Sequence, residues 1–412
     1  MPGPIKSDIA IIGAGPAGIS AAISLAKKGI PSILIEKTHF PRTKICGDGL
    51  SGKVVSNLNR IDPGLARELL KQGIASGSYA ARFYSPGLKM MELSFQSGQP
   101  GLPSGMVCPR YEFDNFILRK ALDHKEIMFL DKCNVSSFTR KNGMVLIEDD
   151  GGSVVAECRL VIFAAGYNYK LIRLLDPGYA NFKDEGIGVR GYFEQVTGSD
   201  EKNAIEIHFL KELLPWYLWI FPFPGGSANV GLALPESVAK KNQVSLKELL
   251  FQLISSYPHL SDRFKNARLT GKIEAGRLPC FTGPAKVSGD NYLLLGDAAR
   301  LIDPFTGEGI GNAMASGRYA AETAETCLVA DNFSQSCTKH YQDLVDSRLV
   351  PELALGLRMQ RLARSSALLN LVIGRASGNE KTRLAISEML YSQEAKSKLG
   401  RPGFYIKILL GL

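Results

Sequence analysis

Residues 8–36 read DIAIIGAGPAGISAAISLAKKGIPSILIE. The apolar residues before the first glycine predict a short, buried parallel strand. Glycines with G-x-G-x-x-G spacing end this strand at residues 13–18 and lead into a helix predicted over residues 17–28. A second apolar strand, predicted over residues 32–36, ends in an acid, so the stretch predicts one βαβ unit.

Each glycine of this turn has a predicted role in holding a dinucleotide. Gly13 allows the tight turn, Gly15 lets the backbone approach a pyrophosphate, and Gly18 lets the helix press on the strand. The helix directs its N-terminal N–H groups at the phosphates. Glu36 stands where a carboxylate accepts the hydroxyls of an adenosine ribose, which favours the unphosphorylated ribose of FAD or NAD. The predicted cofactor contacts here are Gly13, Gly15, Ala17, Gly18, Glu36 and Lys37.

The composition is that of a globular enzyme. A chain of 412 residues with 45% hydrophobic content can bury a large core, and its length predicts two intimately joined domains. The formal net charge is +9, but Lys and Arg are scattered without a long basic run, which argues against a nucleic-acid partner. A weakly basic surface fits an acidic lipid or an anionic cofactor better.

Cysteine usage and hydropathy indicate the compartment. The seven cysteines are odd in number, widely spread and without a C-x-x-C pair, so we expect reduced thiols, no disulfide framework and no metal site. The short polar segment before the first strand does not have the pattern of a signal peptide. No apolar stretch reaches the roughly 18 residues of a membrane span. These features predict a cytoplasmic protein, either free or peripheral at a membrane.

A loop rich in Gly, Pro and charge follows Glu36. Its segments F-P-R at residues 40–42 and C-G-D-G-L-S at residues 46–51 resemble the geranylgeranyl reductase family of FAD-dependent oxidoreductases, which belongs to the p-hydroxybenzoate-hydroxylase-like flavoproteins. The resemblance implies that Cys46 and Gly47 lie beside the flavin and near the reacting bond, and that Arg42 contacts the cofactor. The alternative for the cysteine is a small buried residue without a chemical role.

A helix is predicted to begin after Pro109. Its first residue, Arg110, matches an R-x-x-F-D pattern of the same family, and the resemblance implies that this arginine contacts the flavin cofactor. Asp114 stands four residues further on. The alternative is therefore a surface ion pair between the two side chains, worth a few tenths of a kcal/mol.

Residues 127–163 have the pattern of β-strands, with a turn at residues 149–152. We expect a hairpin insert whose last strand returns to the parent sheet. That strand leads to Ala165 and Gly166, where flavoproteins of the glutathione-reductase type place a second turn of small residues close to the cofactor. Aromatic hydroxylases of the wider group have an Asp-Gly pair followed by Ser here. This departure argues against a hydroxylase and leaves the electron donor open between NAD(P)H and a reduced carrier protein.

An aromatic strand is predicted over residues 216–221. Tyr217, Trp219 and Phe221 alternate, so all three project from one face of a sheet and form an apolar wall, while the residues between them face the other way. On residue type alone, a packed aromatic core is the favoured interpretation.

The string Y-x-W-x-F-P, followed by Gly231, resembles the substrate-cavity signature of the geranylgeranyl reductases. Members of that family usually have a second glycine two residues later, where this chain has Ala233, so close approach of the backbone is not expected there. The resemblance assigns to the substrate cavity Tyr217, Trp219, Phe221, Pro222 and Pro304.

Residues 290–311 complete the predicted flavin site. A buried strand ends in Gly296 and Asp297, and the family places a carboxylate here on the ribityl hydroxyls of FAD. A glycine-rich turn then opens a helix predicted over residues 312–330, whose N-terminal dipole faces the flavin pyrimidine edge. Together with the N-terminal motif these features predict FAD, with NAD as the dissociable alternative. The predicted contacts are Gly296, Asp297, Gly307, Gly309 and Ile310.

The last eighty or so residues are predicted to be helical. Arg358, Arg361 and Arg364 recur at about one helical turn among apolar residues, and the chain ends in an apolar segment at residues 404–412. Such helices either cap the core or lie at a membrane surface where a lipid enters.

The fold predicted from these elements is α/β. A discontinuous Rossmann-like FAD-binding domain of the glutathione-reductase type comprises residues 1–80, 105–180 and 280–330. An inserted antiparallel-sheet substrate domain comprises residues 81–104 and 181–279, and a helical C-terminal region comprises residues 331–412.

The resemblance implies an FAD-dependent reductase that saturates C=C bonds in the isoprenoid chain of a lipid or prenyl compound, acting as a monomer. Catalysis would depend on Cys46 and Gly47. One rival is a flavin monooxygenase or halogenase acting on an aromatic or polyketide substrate, although the G-W-x-W-x-I-P stretch expected of a halogenase is not in the sequence. A second rival is a membrane-associated flavin-binding protein without turnover.

Overall fold

The structure is a computed structural model that describes residues 3–95, 101–179, 185–241, 243 and 245–391. Four β-sheets account for its strands. The strands are β1 (Ile5–Lys6), β2 (Ile9–Ile12), β3 (Ser32–Ile35), β4 (Gly49–Leu50), β5 (Ser76–Ser78), β6 (Ala80–Tyr84), β7 (Met90–Ser94), β8 (Gly105–Val107), β9 (Ile127–Leu130), β10 (Val135–Lys141), β11 (Met144–Asp149), β12 (Val154–Cys158), β13 (Leu160–Phe163), β14 (Gly186–Glu194), β15 (Ile205–His208), β16 (Leu218–Phe223), β17 (Ser227–Pro235), β18 (Arg268–Leu278), β19 (Ser288–Gly289) and β20 (Tyr292–Leu294).

Helices cover the sheets and form the end of the described chain. In the described part, none of them combines the length and the apolar content that a membrane span requires. The helices are α1 (Pro16–Ala26), α2 (Gly52–Ile61), α3 (Leu65–Lys71), α4 (Arg110–Leu122), α5 (Tyr169–Leu175), α6 (Glu236–Lys241), α7 (Leu246–Ser256), α8 (Pro258–Phe264), α9 (Ile310–Val329), α10 (Gln335–Arg348), α11 (Val350–Leu362), α12 (Ser366–Gly378) and α13 (Glu380–Tyr391).

The parent sheet has the strand order β19-β20-β13-β2-β3-β9. Strand β2 pairs in parallel with both β3 and β13, and every residue of these three strands is buried. Parallel strands covered on both faces are near-continuous apolar runs, as the sequence pattern indicates. The α/β class and the Rossmann-like unit are therefore confirmed.

The hairpin insert forms a small sheet of its own. Strands β10, β11 and β12 pair antiparallel, and β1 pairs in parallel with β12 at its edge. Strand β13 then returns to the parent sheet beside β2.

The largest sheet has seven strands in the order β18-β14-β17-β16-β15-β6-β7. Leu218 and Ile220 of β16 belong to the apolar core shared with α7 and α8. Trp219 and Phe221 belong to a different apolar cluster on the opposite face. The alternation predicted for this strand therefore gives the sheet two unlike faces.

Close helix packing brings the two ends of the FAD-binding unit together. A Cβ atom on Gly317 of α9 would lie 2.3 Å from the carbonyl oxygen of Ala17 in α1, so only glycine permits this approach. Helix α10 packs on α9 and β19, and α12 packs on β7 of the large sheet. The division into three domains stays a prediction, and the apolar segment at residues 404–412 lies outside the described residues.

Candidate active site

The glycine turn after β2 has the shape of a phosphate cradle. Gly13 has a φ of +103°, and a Cβ atom there would lie 2.6 Å from the carbonyl oxygen of Ala164. On Gly18 a Cβ atom would lie 2.0 Å from the carbonyl oxygen of Gly13. Around Gly15 the space is open, since the nearest atom to a Cβ there is an Arg42 guanidinium nitrogen at 3.6 Å. The first and third glycines therefore serve packing, and the middle one leaves room for a ligand.

Helix α1 begins at this cradle without a side chain to cap it. Its N-cap residue is Gly15, no side chain of the described residues bonds the free N–H groups, and the first turn has no acidic residue. Exposed N–H groups and the positive end of the helix dipole attract an anion. The arrangement fits a dinucleotide pyrophosphate.

Glu36 lies at the end of β3 and is buried. Its Oε2 accepts a hydrogen bond of 2.9 Å from the backbone N–H of Ala14, and its Oε1 accepts one of 2.8 Å from the hydroxyl of Thr38. The carboxylate therefore supports the glycine turn as well as the predicted ribose site. Lys37, the next predicted contact, is exposed.

Two arginines and one aspartate form a buried cluster beside the cradle. Arg110 makes a bidentate ion pair with Asp114, with both N–O distances 2.8 Å, and Arg42 approaches the same carboxylate at 3.2 Å. The i,i+4 pair considered from the sequence does form, but it is buried rather than at the surface. Burial lowers the pKa of the Arg110 guanidinium, yet Asp114 outweighs this and holds that pKa above its ordinary value. Arg42 also lies 3.7 Å from Glu36, so two carboxylates face the two guanidinium groups of this cluster.

Lys44 connects three of the predicted cofactor segments. Its Nζ lies 3.1 Å from Oδ2 of Asp297 and 3.4 Å from where a Cβ atom on Gly166 would be. Ala165, the neighbour of that glycine, lies beside Gly13. The strand end, the second small-residue turn and the first glycine motif therefore meet in one place.

The glycine-rich turn before α9 lies beside the aromatic strand. Helix α9 begins at Ile310 with Gly309 as its N-cap, two residues earlier than predicted from the sequence. Gly307 has a φ of +69°, and a Cβ atom there would lie 3.0 Å from the hydroxyl of Tyr217. That hydroxyl donates a 2.5 Å hydrogen bond to the carbonyl of Thr306. The predicted flavin edge and the predicted wall therefore touch.

Asp48 is the site residue that sequence reasoning missed. It is fully buried and has a φ of +67°, in the left-handed region that non-glycine residues rarely occupy. Its Oδ2 accepts hydrogen bonds of 2.6 Å from the Tyr192 hydroxyl and 2.8 Å from the Asn229 amide, while its Oδ1 accepts one of 3.2 Å from the Arg110 backbone N–H. Burial raises the pKa of Asp48, although these donors oppose the rise.

Cys46 is half-buried and lies next to this network. Its carbonyl accepts a 2.9 Å hydrogen bond from the amide of Asn229, and its sulfur accepts one of 3.3 Å from the backbone N–H of Asp48. Burial raises the pKa of the Cys46 thiol, and the nearby Arg110 guanidinium opposes that rise. The group is therefore a thiol at neutral pH, with a cation beside it that stabilises the thiolate.

The aromatic wall packs directly on the Cys46 loop. A Cβ atom on Gly47 would lie 3.1 Å from the Phe221 ring and 3.2 Å from Nε1 of Trp219, and one on Gly49 would lie 2.9 Å from the Phe221 ring. A Cβ atom on Gly231 would lie 2.3 Å from the indole of Trp219. Glycines on both sides therefore make room for the wall.

An apolar cluster extends from the wall to the C-terminal helices. Trp219 and Phe221 are only partly buried within it. Pro222 is buried and follows the alternation of Leu218 and Ile220 along β16. Its place in the substrate cavity stays a prediction. Pro304 is buried in the loop before α9, beside Phe305. The cluster also contains Phe83, Met91, Leu93, Ile207, Phe209, Phe305, Leu369, Val372, Ile373 and Ala376.

Comparisons with known proteins agree with this geometry. The FAD binding domain family matches residues 6–168. The chain is 30% identical over 339 residues to a menaquinone reductase of Mycolicibacterium smegmatis, a match that covers 79% of this chain and 78% of that protein. It is 29% identical over 347 residues to a digeranylgeranylglycerophospholipid reductase of Thermoplasma volcanium, and 83% of each chain is covered.

A solved structure shares the whole fold. It is described as a geranylgeranyl bacteriochlorophyll reductase-like protein of Thermoplasma acidophilum and has a TM-score of 0.79, with 97% of this chain and 100% of that chain covered. The sequence identity is 24%, so this likeness bears on the fold alone.

Proposed function

The chain belongs to the geranylgeranyl reductase family of FAD-dependent oxidoreductases, and we propose that it saturates C=C bonds in the isoprenoid chain of a lipid or prenyl compound. The observation that carries the proposal is the contact between the aromatic wall and the loop of Cys46 and Gly47. That contact brings an apolar surface, suited to an isoprenoid chain, to the predicted flavin edge.

The residues around the cradle fit FAD. Gly15 leaves space beside uncapped N–H groups for the pyrophosphate, and Arg42 adds a positive charge. Glu36 would accept the ribose hydroxyls, and Asp297 would accept the ribityl hydroxyls. We propose that these residues hold the cofactor without a covalent bond, together with Ala17, Gly18, Lys37, Cys46, Gly47, Arg110, Ala165, Gly166, Gly296, Gly307, Gly309 and Ile310.

When bound and reduced, FAD supplies a hydride to one alkene carbon, and a proton must reach the other carbon. The alkene π bond breaks and two C–H bonds form. The Cys46 thiol is protonated at neutral pH and its loop packs against the wall, so we assign it as the proton donor. The thiolate left behind is stabilised by the Arg110 guanidinium.

Asp48 positions this donor rather than touching the substrate. Its carboxylate joins Tyr192 and Asn229, and the amide of Asn229 also holds the carbonyl of Cys46. The side-chain oxygen of Asn229 accepts a 2.9 Å hydrogen bond from Nε1 of Trp219. One network therefore fixes the loop and the wall together.

An isolated alkene has no polar group that an acid or a cation can polarise. Catalysis then depends on holding the chain at the correct distance in a site from which water is excluded. The partly buried rings of Trp219 and Phe221 supply the apolar surface, and Ile373 and Ala376 of α12 close the cluster from the other side.

The C-terminal helices have features that suit a lipid substrate. Leu362, Leu371 and Leu384 are each at least 40% exposed on α11, α12 and α13. Arginines lie on the same helices, among them Arg361 and Arg375. Exposed apolar side chains with basic neighbours favour contact with an anionic bilayer. We therefore propose peripheral membrane contact near the cluster.

Reduction of a quinone is the second candidate function. The relative from Mycolicibacterium smegmatis is described as a menaquinone reductase, a name that fits reduction of either the quinone ring or its isoprenoid side chain. The two candidates differ in the product, since one reduces the side chain and the other the quinone ring. Mass spectrometry and the ultraviolet spectrum of the product distinguish them after a single anaerobic turnover of dithionite-reduced protein.

A further inference from the structure

One face of the seven-stranded sheet carries the aromatic wall and, two strands away, a set of charged side chains. Directly paired residues on neighbouring antiparallel strands share a face. Arg190 pairs with Gly231, which pairs with Trp219, so the three form one row. Tyr192 and Phe221 stand in the next row. The face is therefore charged at β14 and apolar at β16, about 10 Å away.

A cavity of about 220 Å³ opens at the charged end. We call it the cationic pocket. It lies between the sheet and the loop that precedes Cys46, and it shares only Lys44 and Arg110 with the cofactor site described above. Its side chains include Lys44, Arg110, Arg190, Tyr192, Lys272 and Glu274.

The side chains that line the pocket include four cations and one carboxylate. Lys272 is exposed at its edge and forms no ion pair with the described residues. The other three cations have acidic partners, but the Lys44 pair is half-exposed and can be displaced. These pairs are Arg110 with Asp114, Lys44 with Asp297 at 3.1 Å, and Arg190 with Glu274 at 2.8 Å.

Arg190 provides a second, independent observation that points to a ligand in the cationic pocket. Only 4% of it is exposed, and its Nε has no hydrogen-bond partner among the described residues. The guanidinium lies 4.5 Å from the centre of the Tyr192 ring, which holds it in place. Buried N–H groups are nearly always bonded, so an unsatisfied Nε on a side chain that lines a cavity marks a donor left for an acceptor.

We propose that the cationic pocket binds a phosphate-class anion carried by a ligand of the reductase. The planar fork of an arginine matches phosphate oxygens, and a lysine adds a point charge. Two ligands carry such a group, namely the diphosphate of a nicotinamide dinucleotide and the head group of a phospholipid. The lipid source rests on the proposed function, since its chain would continue along the face to Trp219.

Calorimetric titration of the FAD-loaded, oxidised protein with inorganic pyrophosphate tests the site without turnover. Lys272→Gln removes the unpaired charge, and Lys6→Gln is the matched control, since it changes the net charge equally on a distant, 74% exposed side chain. Arg190→Lys keeps the positive charge but removes the planar guanidinium group. We expect Kd to rise about tenfold or more in Lys272→Gln and Arg190→Lys, and to be unchanged in the control. The flavin-to-protein ratio is measured for every variant.

Competition identifies the source of the anion. Displacement of pyrophosphate by NADP+ supports the dinucleotide, and displacement by short-chain phosphatidic acid supports the lipid. If neither displaces it, the pocket holds an adventitious ion only and the proposal fails.

Three further results overturn the proposal. These are no binding to the wild type, equal weakening in Lys272→Gln and Lys6→Gln, and binding to the apoprotein alone, which would assign the pocket to the flavin. If the protein binds pyrophosphate but does not reduce alkenes, the proposed function is wrong, whereas the assignment of an anion site to the cationic pocket still holds.

Discussion

Gly47 lies against the indole of Trp219, so that a Cβ atom on the glycine would be 3.2 Å from Nε1. The loop that carries the candidate proton donor and the wall that would hold the substrate are therefore in direct contact. An apolar wall packed on the loop of a proton donor is the arrangement that alkene reduction requires and that a purely structural aromatic cluster does not.

Replacing Gly47 by Ala should lower lipid turnover about tenfold or more, because the methyl group displaces Trp219 or Phe221 by a few tenths of an ångström at a site that depends on positioning. Flavin content should fall less than turnover, because Gly47 is only one of many proposed cofactor contacts. Gly378→Ala is the control, since a Cβ atom there meets no atom within 4 Å. Turnover and the flavin-to-protein ratio check both variants. Equal activity of the two variants would show that the position of the wall does not affect the reaction.

Trp219→Ala should enlarge the cavity and alter lipid turnover, while the protein stays folded and loaded with FAD. Trp219 is only partly buried, so the loss of stability should be below the roughly 3–5 kcal/mol expected for a core indole. Trp219→Phe keeps most of the apolar surface and removes only the hydrogen bond to Asn229. Measuring thermal denaturation and alkene reduction for each variant distinguishes a substrate cavity from a packed core. If the alanine variant loses both its folded structure and its flavin, the aromatic wall is part of the core and does not line a substrate cavity.

Gly15→Val and Gly18→Val should behave differently. At Gly15 the free protein has room for a side chain, so the variant should fold but lose FAD, because the branch occupies the pyrophosphate space. At Gly18 a Cβ atom would lie 2.0 Å from the carbonyl oxygen of Gly13, so that variant should also lose thermal stability. Glu36→Ala should weaken retention less than Gly15→Val. Circular dichroism and flavin absorbance give the two readouts, and a flavin-loaded Gly15→Val protein would contradict the assignment.

Buried His208 and half-buried His259 form a pair that should make stability depend on pH. The two rings share a 3.3 Å hydrogen bond, and His208 also contacts Glu206 at 3.1 Å. Burial, then His208 and Arg263, lower the pKa of His259 from 6.5 to about 4. A folded-state pKa below the unfolded value means that this stability is complete above pH 6.5 and is lost as the pH falls toward about 4.

The variant His259→Gln should therefore show a smaller fall in melting temperature between pH 7 and pH 4 than the wild type. The control is His340→Gln, which removes a half-exposed imidazole on α10. Melting temperatures of the three proteins along one pH series provide the measurement. Parallel curves for all three would show that the pair does not contribute.

Most of the fold could be predicted from local sequence patterns. The strands of the parent sheet follow from apolar runs between glycine turns, and the two faces of β16 follow from its alternation. Helix α8 was not predicted, because the seven residues from Pro258 to Phe264 are too few to show a periodic pattern.

The parts of the site that lie within a single sequence motif could be predicted. The parts that form between segments far apart in the sequence could not. Gly13 and Gly15 act within one turn, so their spacing is enough. The hydrogen bonds to Asp48 come from Tyr192 and Asn229, which are 144 and 181 residues away, and no local pattern joins them. At Pro222 two sequence signals conflict, since the motif match assigns it to the cavity and strand alternation turns it toward the face of Leu218 and Ile220.

The central claim is tested most directly by a single anaerobic turnover. Protein reduced with dithionite is mixed with a geranylgeranyl lipid, flavin absorbance is followed, and the extracted lipid is analysed by mass spectrometry. We predict that the flavin is reoxidised and that the lipid gains two hydrogen atoms for each double bond reduced, with a slower reaction in Cys46→Ala. Flavin that stays reduced with every polyprenyl lipid offered, or that is reoxidised only by oxygen with an aromatic substrate, would contradict the account.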